Sequence, residues 1–175
     1  MARFLDTNAN NFQALFDAPL QSSRLLELGA GCGLVSIVGA LHRADVYSTE
    51  QDTCLPYLNE NLKLNPDVKI NHFHLNWGNP TCLDRFDIIL GCDITYEPSN
   101  FEGLFRTFDA CLSTQGIILL VHDNDSCPLS AQAFDSLVKL SGSFKFNLSE
   151  ISYADILDSS FVRLDVKMWK LGRHL

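Results

Sequence analysis

Leu25-Leu26-Glu27-Leu28-Gly29-Ala30-Gly31-Cys32-Gly33-Leu34 is the stretch that decides the fold. An apolar run ends in a loop with three alternating glycines, and an amphipathic segment begins at Leu34. Glycines so placed permit a tight strand-to-helix turn and let a ligand approach the backbone, where a helix N-terminus offers unpaired N–H groups. The spacing differs from the dinucleotide loop GxGxxG: the position of its third glycine holds Leu34, and the third glycine is Gly33. Glu27, two residues before the first glycine, suits a ligand bearing an ammonium better than one bearing a pyrophosphate. Taken alone, the loop also reads as a plain tight connection.

Outward from this loop, short β-branched runs alternate with longer amphipathic segments. The runs are 24–28, 45–49, 68–72, 86–90, 116–122, 144–148 and 161–169; helices are expected over 34–42, 53–64, 101–112 and 130–140. Asp52 is a candidate N-cap for the second helix and Ser99 or Asn100 for the third. Ile88-Ile89-Leu90 and Ile117–Val121 lack polar alternation, as strands buried on both faces do. Strand–helix alternation then predicts a doubly wound α/β fold, with helices on both faces of a mostly parallel, twisted sheet. The last two strands, with no helix pattern between them, are expected to form an antiparallel edge joined by residues 149–160. In the first sixteen residues, Asp6–Asn11 reads as a turn between a helix end and a short helix from Asn10 to Phe16.

The 175 residues fit one domain, 1–175, large enough to bury a core without staples. A hydrophobic content of 46 % with 19 % charged residues excludes intrinsic disorder. Acids outnumber bases 21 to 13, for a net charge of −8, which argues against nucleic-acid or anionic-membrane partners. No apolar run can span a bilayer and no secretory core is present at the N-terminus, so a cytoplasmic or nuclear monomer is expected. Six scattered cysteines lack zinc spacing and read as reduced. His72-x-His74 puts two imidazoles on one strand face but lacks a third ligand, so no metal is expected.

Glu50 lies 21 positions after Gly29, at the end of the second strand, where a carboxylate can accept both hydroxyls of a ribose. Together the two features point to nucleoside binding. Glu-Leu-Gly-Ala-Gly-Cys-Gly-Leu here resembles motif I of the seven-strand S-adenosylmethionine-dependent methyltransferases, and Glu50 resembles their acidic motif II. Leu75-Asn76-Trp77-Gly78 and Gly91-Cys92-Asp93-Ile94-Thr95-Tyr96 are similar to the Trp-Gly and DxxY elements of methyltransferase family 16, the protein lysine methyltransferase-like group. The resemblance runs from about Arg24 to the last strand. It implies a Rossmann-like seven-strand methyltransferase fold whose cofactor is S-adenosyl-L-methionine. Gly29, Ala30 and Gly31 would then line the methionine part, Glu50 would hold the ribose, Trp77 would cover the adenine edge and Cys92 would touch the cofactor. Glu27, Gln51 and Asn76 complete the cofactor-binding set, and Asp93 and Tyr96 would face the substrate amine.

The implied reaction is methylation of a lysine on a folded protein such as a chaperone, an ATPase or a translation factor. Glu27, Glu50, Asp93, Glu97, Asp123 and Asp125 all fall at or just past expected strand ends, giving a negative crevice suited to a cationic cofactor and a cationic lysine. His122-Asp123-Asn124-Asp125 reads as the border of the substrate entrance or as a plain polar turn. Nucleic-acid amine methyltransferases carry Asn/Asp-Pro-Pro-aromatic after the fourth strand, where this chain has Asp-Ile-Thr-Tyr. A small-molecule methyltransferase, or a non-catalytic module that keeps the fold to bind a partner, would also fit these features. Family members usually have a longer segment before motif I, with a further Trp. Only 23 residues precede Arg24 here and none is Trp, so a more open front edge is expected.

Overall fold

The computed structural model describes residues 1–80, 84–125, 127–152 and 166–174. Its strands are β1 (Arg24–Leu28), β2 (Asp45–Glu50), β3 (Ile70–His74), β4 (Phe86–Cys92), β5 (Leu112–Asp123), β6 (Phe146–Ile151) and β7 (Val166–Arg173). They form one sheet in the order β3-β2-β1-β4-β5-β7-β6. The first five are parallel, and β7 runs antiparallel between β5 and β6. Chain direction across the sheet reverses at the β1/β4 pair, and ligands of open α/β sheets bind beyond the strand C-termini at such a switch point.

The unbroken apolar runs are divided between the two faces. Leu25, Ile88, Leu90, Ile117, Leu119 and Val121 enter one core; Leu26, Leu28, Ile89, Ile118 and Leu120 enter the other. The first core is covered by α1 (Ala2–Asn8), α2 (Phe12–Phe16) and α3 (Leu34–Leu41), the second by α5 (Phe101–Cys111) and α6 (Ala131–Ser143). Phe101, Leu104, Phe105 and Phe108 of α5 recur at helical spacing and are all fully buried, each contributing roughly 2–3 kcal/mol of apolar transfer. α4 (Leu55–Lys63) packs on β2 and β3. No helix among the described residues is long and apolar enough to cross a membrane.

Several boundaries differ from the sequence expectations. Residues Asp6–Asn8 continue α1, and Ala9–Asn11 form a 3-10 turn rather than an open turn. Positions 4, 8, 12 and 16 share one buried face: Phe4 meets Phe16 edge-on and Phe12 packs tilted against both, and Asn8 joins them by donating from Nδ2 to the Phe4 carbonyl at 3.0 Å. Tertiary packing overrides the turn propensity of the asparagines. β3 starts two residues later than expected because the chain first turns at Asn65–Val68. Asp52 does not cap α4, whose N-cap is Cys54; Asp52 instead lies 2.8 Å from Nδ1 of His74. Asn100 holds the N-cap position of α5 without a side-chain bond. Residues 153–160 of the expected β6–β7 connection, and 161–165 of the last expected strand, lie outside the described residues.

Candidate active site

The glycine loop, the end of β2, the segment after β3 and the loop after β4 meet at the C-terminal edge of the sheet, around the switch point. Two glycines explain why they meet. A Cβ on Gly29, whose φ is +64°, would stand 2.8 Å from Cγ2 of Ile94 and 3.6 Å from Cζ2 of Trp77. A Cβ on Gly91, within β4, would collide with Cδ1 of the same Ile94. Ile94 therefore folds back over the ends of β1 and β4 only because both positions lack a side chain. That fold-back brings Ile94, within the Asp93–Tyr96 loop, against the glycine loop. Trp77 is held from behind: Gly78 and Gly103 of α5 approach so closely that a Cβ on Gly78 would lie 3.1 Å from the Gly103 Cα, and the Gly78 amide donates to Thr107 Oγ1 at 3.0 Å.

Glu50 ties two of these pieces together. Its Oε2 accepts the Gly31 amide at 2.7 Å and its Oε1 accepts the Gln51 amide at 2.8 Å. A Cβ on Gly31 would meet nothing within 4 Å, so that face of the loop is open to a ligand. Gln51 and Asn76 are exposed at the rim, and the half-buried Trp77 packs against the α5-side core while its ring edge flanks Gly29.

Glu27 is only 2 % exposed. Its Oε2 accepts both the amide of Ser36, at 2.9 Å, and the Ser36 hydroxyl, so the carboxylate caps the first turn of α3. Burial pushes its pKa up to about 7, against the opposing pull of the two Ser36 bonds; the nearby Glu50 adds to the rise. No described residue hydrogen-bonds Oε1. Cys92 lines the same region, and burial pushes its thiol up to about 12, so it stays neutral. Cys32, Cys54 and Cys127 are exposed free thiols and Cys111 is buried; Cys82 lies outside the described residues.

Asp93 has φ +52°, a left-handed conformation that Asp tolerates better than most residues. Its amide donates to the Val121 carbonyl at 2.8 Å, and its Oδ1 accepts the Asp123 amide at 2.7 Å. Tyr96 is exposed and lines a small cavity with Pro98, His122 and Cys127. His122 does not stand at a polar turn: it is buried, bonded to Thr95. From sequence Asp123 reads only as a crevice acid and entrance residue, and Ser36, Ile94 and Thr95 are missed as site residues. Of these, only Ile94 and Thr95 carried a signal, as the two middle residues of DxxY. Among the described residues no three His, Cys, Asp or Glu are grouped to hold a metal.

The donor set fits an S-adenosylmethionine-like group. An open glycine face, a carboxylate at the end of β2 with lone pairs still free for hydroxyls, a flat indole and a buried carboxylate with one oxygen unbonded are gathered at one edge. A seven-strand sheet with this order, its reversed strand and this glycine loop is the architecture of the S-adenosylmethionine-dependent methyltransferases. The structure of the glycopeptide N-methyltransferase MtfA with S-adenosyl-L-methionine superposes with a TM-score of 0.71 over 97 % of this chain and 95 % of that one; at 13 % identity this is a likeness of fold. Residues 2–134 match the family described as lysine methyltransferase, and the chain belongs to that family. Protein N-lysine methyltransferase METTL21A of Xenopus tropicalis is 42 % identical over 108 residues, 58 % of this chain and 49 % of its own length. Protein-lysine methyltransferase METTL21E of Mus musculus is 32 % identical over 181 residues, 95 % of this chain and 65 % of its own length. The chain thus spans about half the length of the first relative and about two thirds of the second.

Proposed function

We propose that the protein transfers a methyl group from S-adenosylmethionine to a lysine side chain of a protein substrate. The observation that carries this reading is the joining, through Ile94, of the Glu50-tied glycine loop to the Asp93–Tyr96 loop at the switch point. In this reading Gly29–Gly31 lie along the methionine part of the cofactor, Glu50 takes the ribose hydroxyls, Trp77 lies against the purine, and the free oxygen of Glu27 faces the ammonium. When bound, the cofactor would supply an electrophilic methyl sulfonium, with the neutral thioether as leaving group.

The chain's own residues bind, orient and exclude water. A lysine in water has a pKa of about 10.4 and must lose a proton to solvent before it can attack. Asp93 attracts the ammonium and aligns it; its Oδ1 is held by the Asp123 amide, so its direction is fixed before substrate arrives. Desolvation between Tyr96 and the loops then favours the neutral amine. A carboxylate at this place favours the charged form, so Asp93 acts in capture and alignment rather than as a strong base.

Incubation with labelled S-adenosylmethionine and cell extract, followed by mapping of the label, tests the reading. Label on a protein lysine is expected, together with calorimetric binding of S-adenosylhomocysteine. Absence of that binding would favour a partner-binding module, and label on nucleic acid or on small molecules would replace the substrate class.

A further inference from the structure

Between the loops leaving β4 and β5 lies a cavity of about 170 Å³, with Tyr96 and Pro98 on one side and Cys127, Pro128 and Leu129 on the other. Beneath it sits a polar pair in an otherwise apolar setting. Thr95 and His122 are each 1 % exposed, and Thr95 Oγ1 lies 3.0 Å from His122 Nδ1. The other ring nitrogen, Nε2, lies 2.8 Å from the Cys127 carbonyl. A carbonyl only accepts, so Nε2 carries the proton and donates. In the neutral ring Nδ1 then accepts the Thr95 hydroxyl. The imidazole is kept in place by Trp169, whose ring centroid is 6.1 Å away and tilted by 31°.

We propose that Thr95 and His122 are positioning residues that fix the spacing of these two loops and so hold Tyr96 and Asp93 for the incoming substrate side chain. The proposal rests on the reading that Asp93 and Tyr96 face the substrate. Thr95 lies between those two residues in the chain. Asp93 has its own ties to Val121 and Asp123, whereas the Tyr96 hydroxyl makes no hydrogen bond among the described residues. Thr95 is therefore the last fixed point before Tyr96. Two apolar residues of the same shape would fill the space about as stably, because a buried hydrogen-bonded pair gains little over apolar packing. What the pair adds is direction: it couples the loop after β4 to the loop after β5 through one rigid ring.

Thr95→Val removes the hydroxyl with little change in shape, and Thr95→Ser restores it. His122→Asn keeps an acceptor near the Nδ1 position but does not reach the Cys127 carbonyl. Thr95→Val is expected to leave S-adenosylhomocysteine affinity within about twofold of wild type. Its turnover on the extract protein that accepts labelled methyl groups should fall by about tenfold or more, the range of small misplacements near reacting atoms. Hydrogen exchange at the Asp123 and Cys127 amides should quicken, and Thr95→Ser should restore both readouts. His122→Asn should quicken exchange at Cys127 while leaving Asp123 protected. Unchanged turnover and exchange in Thr95→Val overturns the proposal, as does a loss that Thr95→Ser does not rescue or a parallel loss of S-adenosylhomocysteine affinity. If the wild-type chain binds no S-adenosylhomocysteine, the functional reading fails by itself. Exchange at Cys127 then still decides the coupling, and unchanged protection in both Thr95→Val and His122→Asn overturns it.

Discussion

Glu27→Gln should raise the stability of the ligand-free protein at pH 8 while weakening its hold on a cationic ligand. The carboxyl is 2 % exposed and its pKa is raised from 4.5 to about 7 by burial. A raised carboxyl contributes stability that is fully present below its unfolded pKa and lost as pH rises through the folded one. Between pH 4.5 and 7 folding takes up a proton. Above 7 the buried charge costs about 3 kcal/mol relative to acid conditions, at about 1.4 kcal/mol for each pH unit between the two values. Glutamine keeps a carbonyl oxygen for the Ser36 amide and hydroxyl, so the α3 cap survives and only the charge is lost. Urea melts of both proteins at pH 5, 6, 7 and 8 read the difference directly, since the slope with denaturant should be the same for both. The variant should match wild type at pH 5 and exceed it by up to about 3 kcal/mol at pH 8. In calorimetry, S-adenosylhomocysteine should bind the variant about tenfold or more weakly, because a charge-assisted bond to the ligand ammonium is gone. Parallel pH dependences of the two proteins would refute the assignment of a buried, proton-retaining carboxyl. Unchanged ligand affinity would remove Glu27 from the cofactor site.

Gly29→Ala should destabilise by about 2–4 kcal/mol, since the methyl group both strains a left-handed residue and meets Ile94; Gly31→Ala, with open space around it, should lose only about 1–2 kcal/mol, and urea melts separate the two. Iodoacetamide at pH 8 should modify exposed Cys32, Cys54 and Cys127 first, because a Cys92 thiol with a pKa of about 12 is thiolate in only about one molecule in ten thousand; peptide mapping over time checks the order. Asp93→Asn should keep stability within about 0.5 kcal/mol, as Asn tolerates φ +52° and still accepts the Asp123 amide, yet its methyl transfer to the protein substrate should fall about tenfold or more; full turnover would remove the charge from the mechanism.

The fold was legible because its evidence is local. Ile88-Ile89-Leu90 and Ile117–Val121 read as strands covered on both faces, and they divide between two cores as that pattern requires. The glycine loop and Glu50 were legible for the same reason, since spacing along the chain translates into place along a strand edge. What stayed hidden depends on contacts distant in sequence. The α1–α2 face was masked by Asn8, a polar residue at a buried helical position that satisfies itself on the Phe4 carbonyl. The pairing of Thr95 with His122, 27 residues apart, has no pattern in either neighbourhood. Ile94 offered only its apolar character, and its role emerges when Gly29 and Gly91 are seen beneath it.

The acids at this edge read from sequence as a field that attracts cations, and their bonds add a second role. Glu27 accepts the Ser36 amide, Glu50 those of Gly31 and Gln51, Asp93 that of Asp123, Glu97 that of Ser99, and Asp123 that of Asp125. Each of these carboxylates accepts a backbone amide of a loop, helix turn or strand end at this edge. Amide donors stabilise the ionised form, as at Glu97, where the Ser99 bonds hold the carboxyl below its usual range. Glu27 departs from this balance because its burial outweighs its two bonds, leaving it the carboxyl of the set pushed up to about 7. A cation arriving beside it can shift that balance, whereas an exposed carboxylate such as Glu97, held low by its Ser99 bonds, is already ionised. Loop geometry and crevice charge are therefore one property of these residues, and a change from acid to amide separates the two only where the amide oxygen can keep the backbone bond.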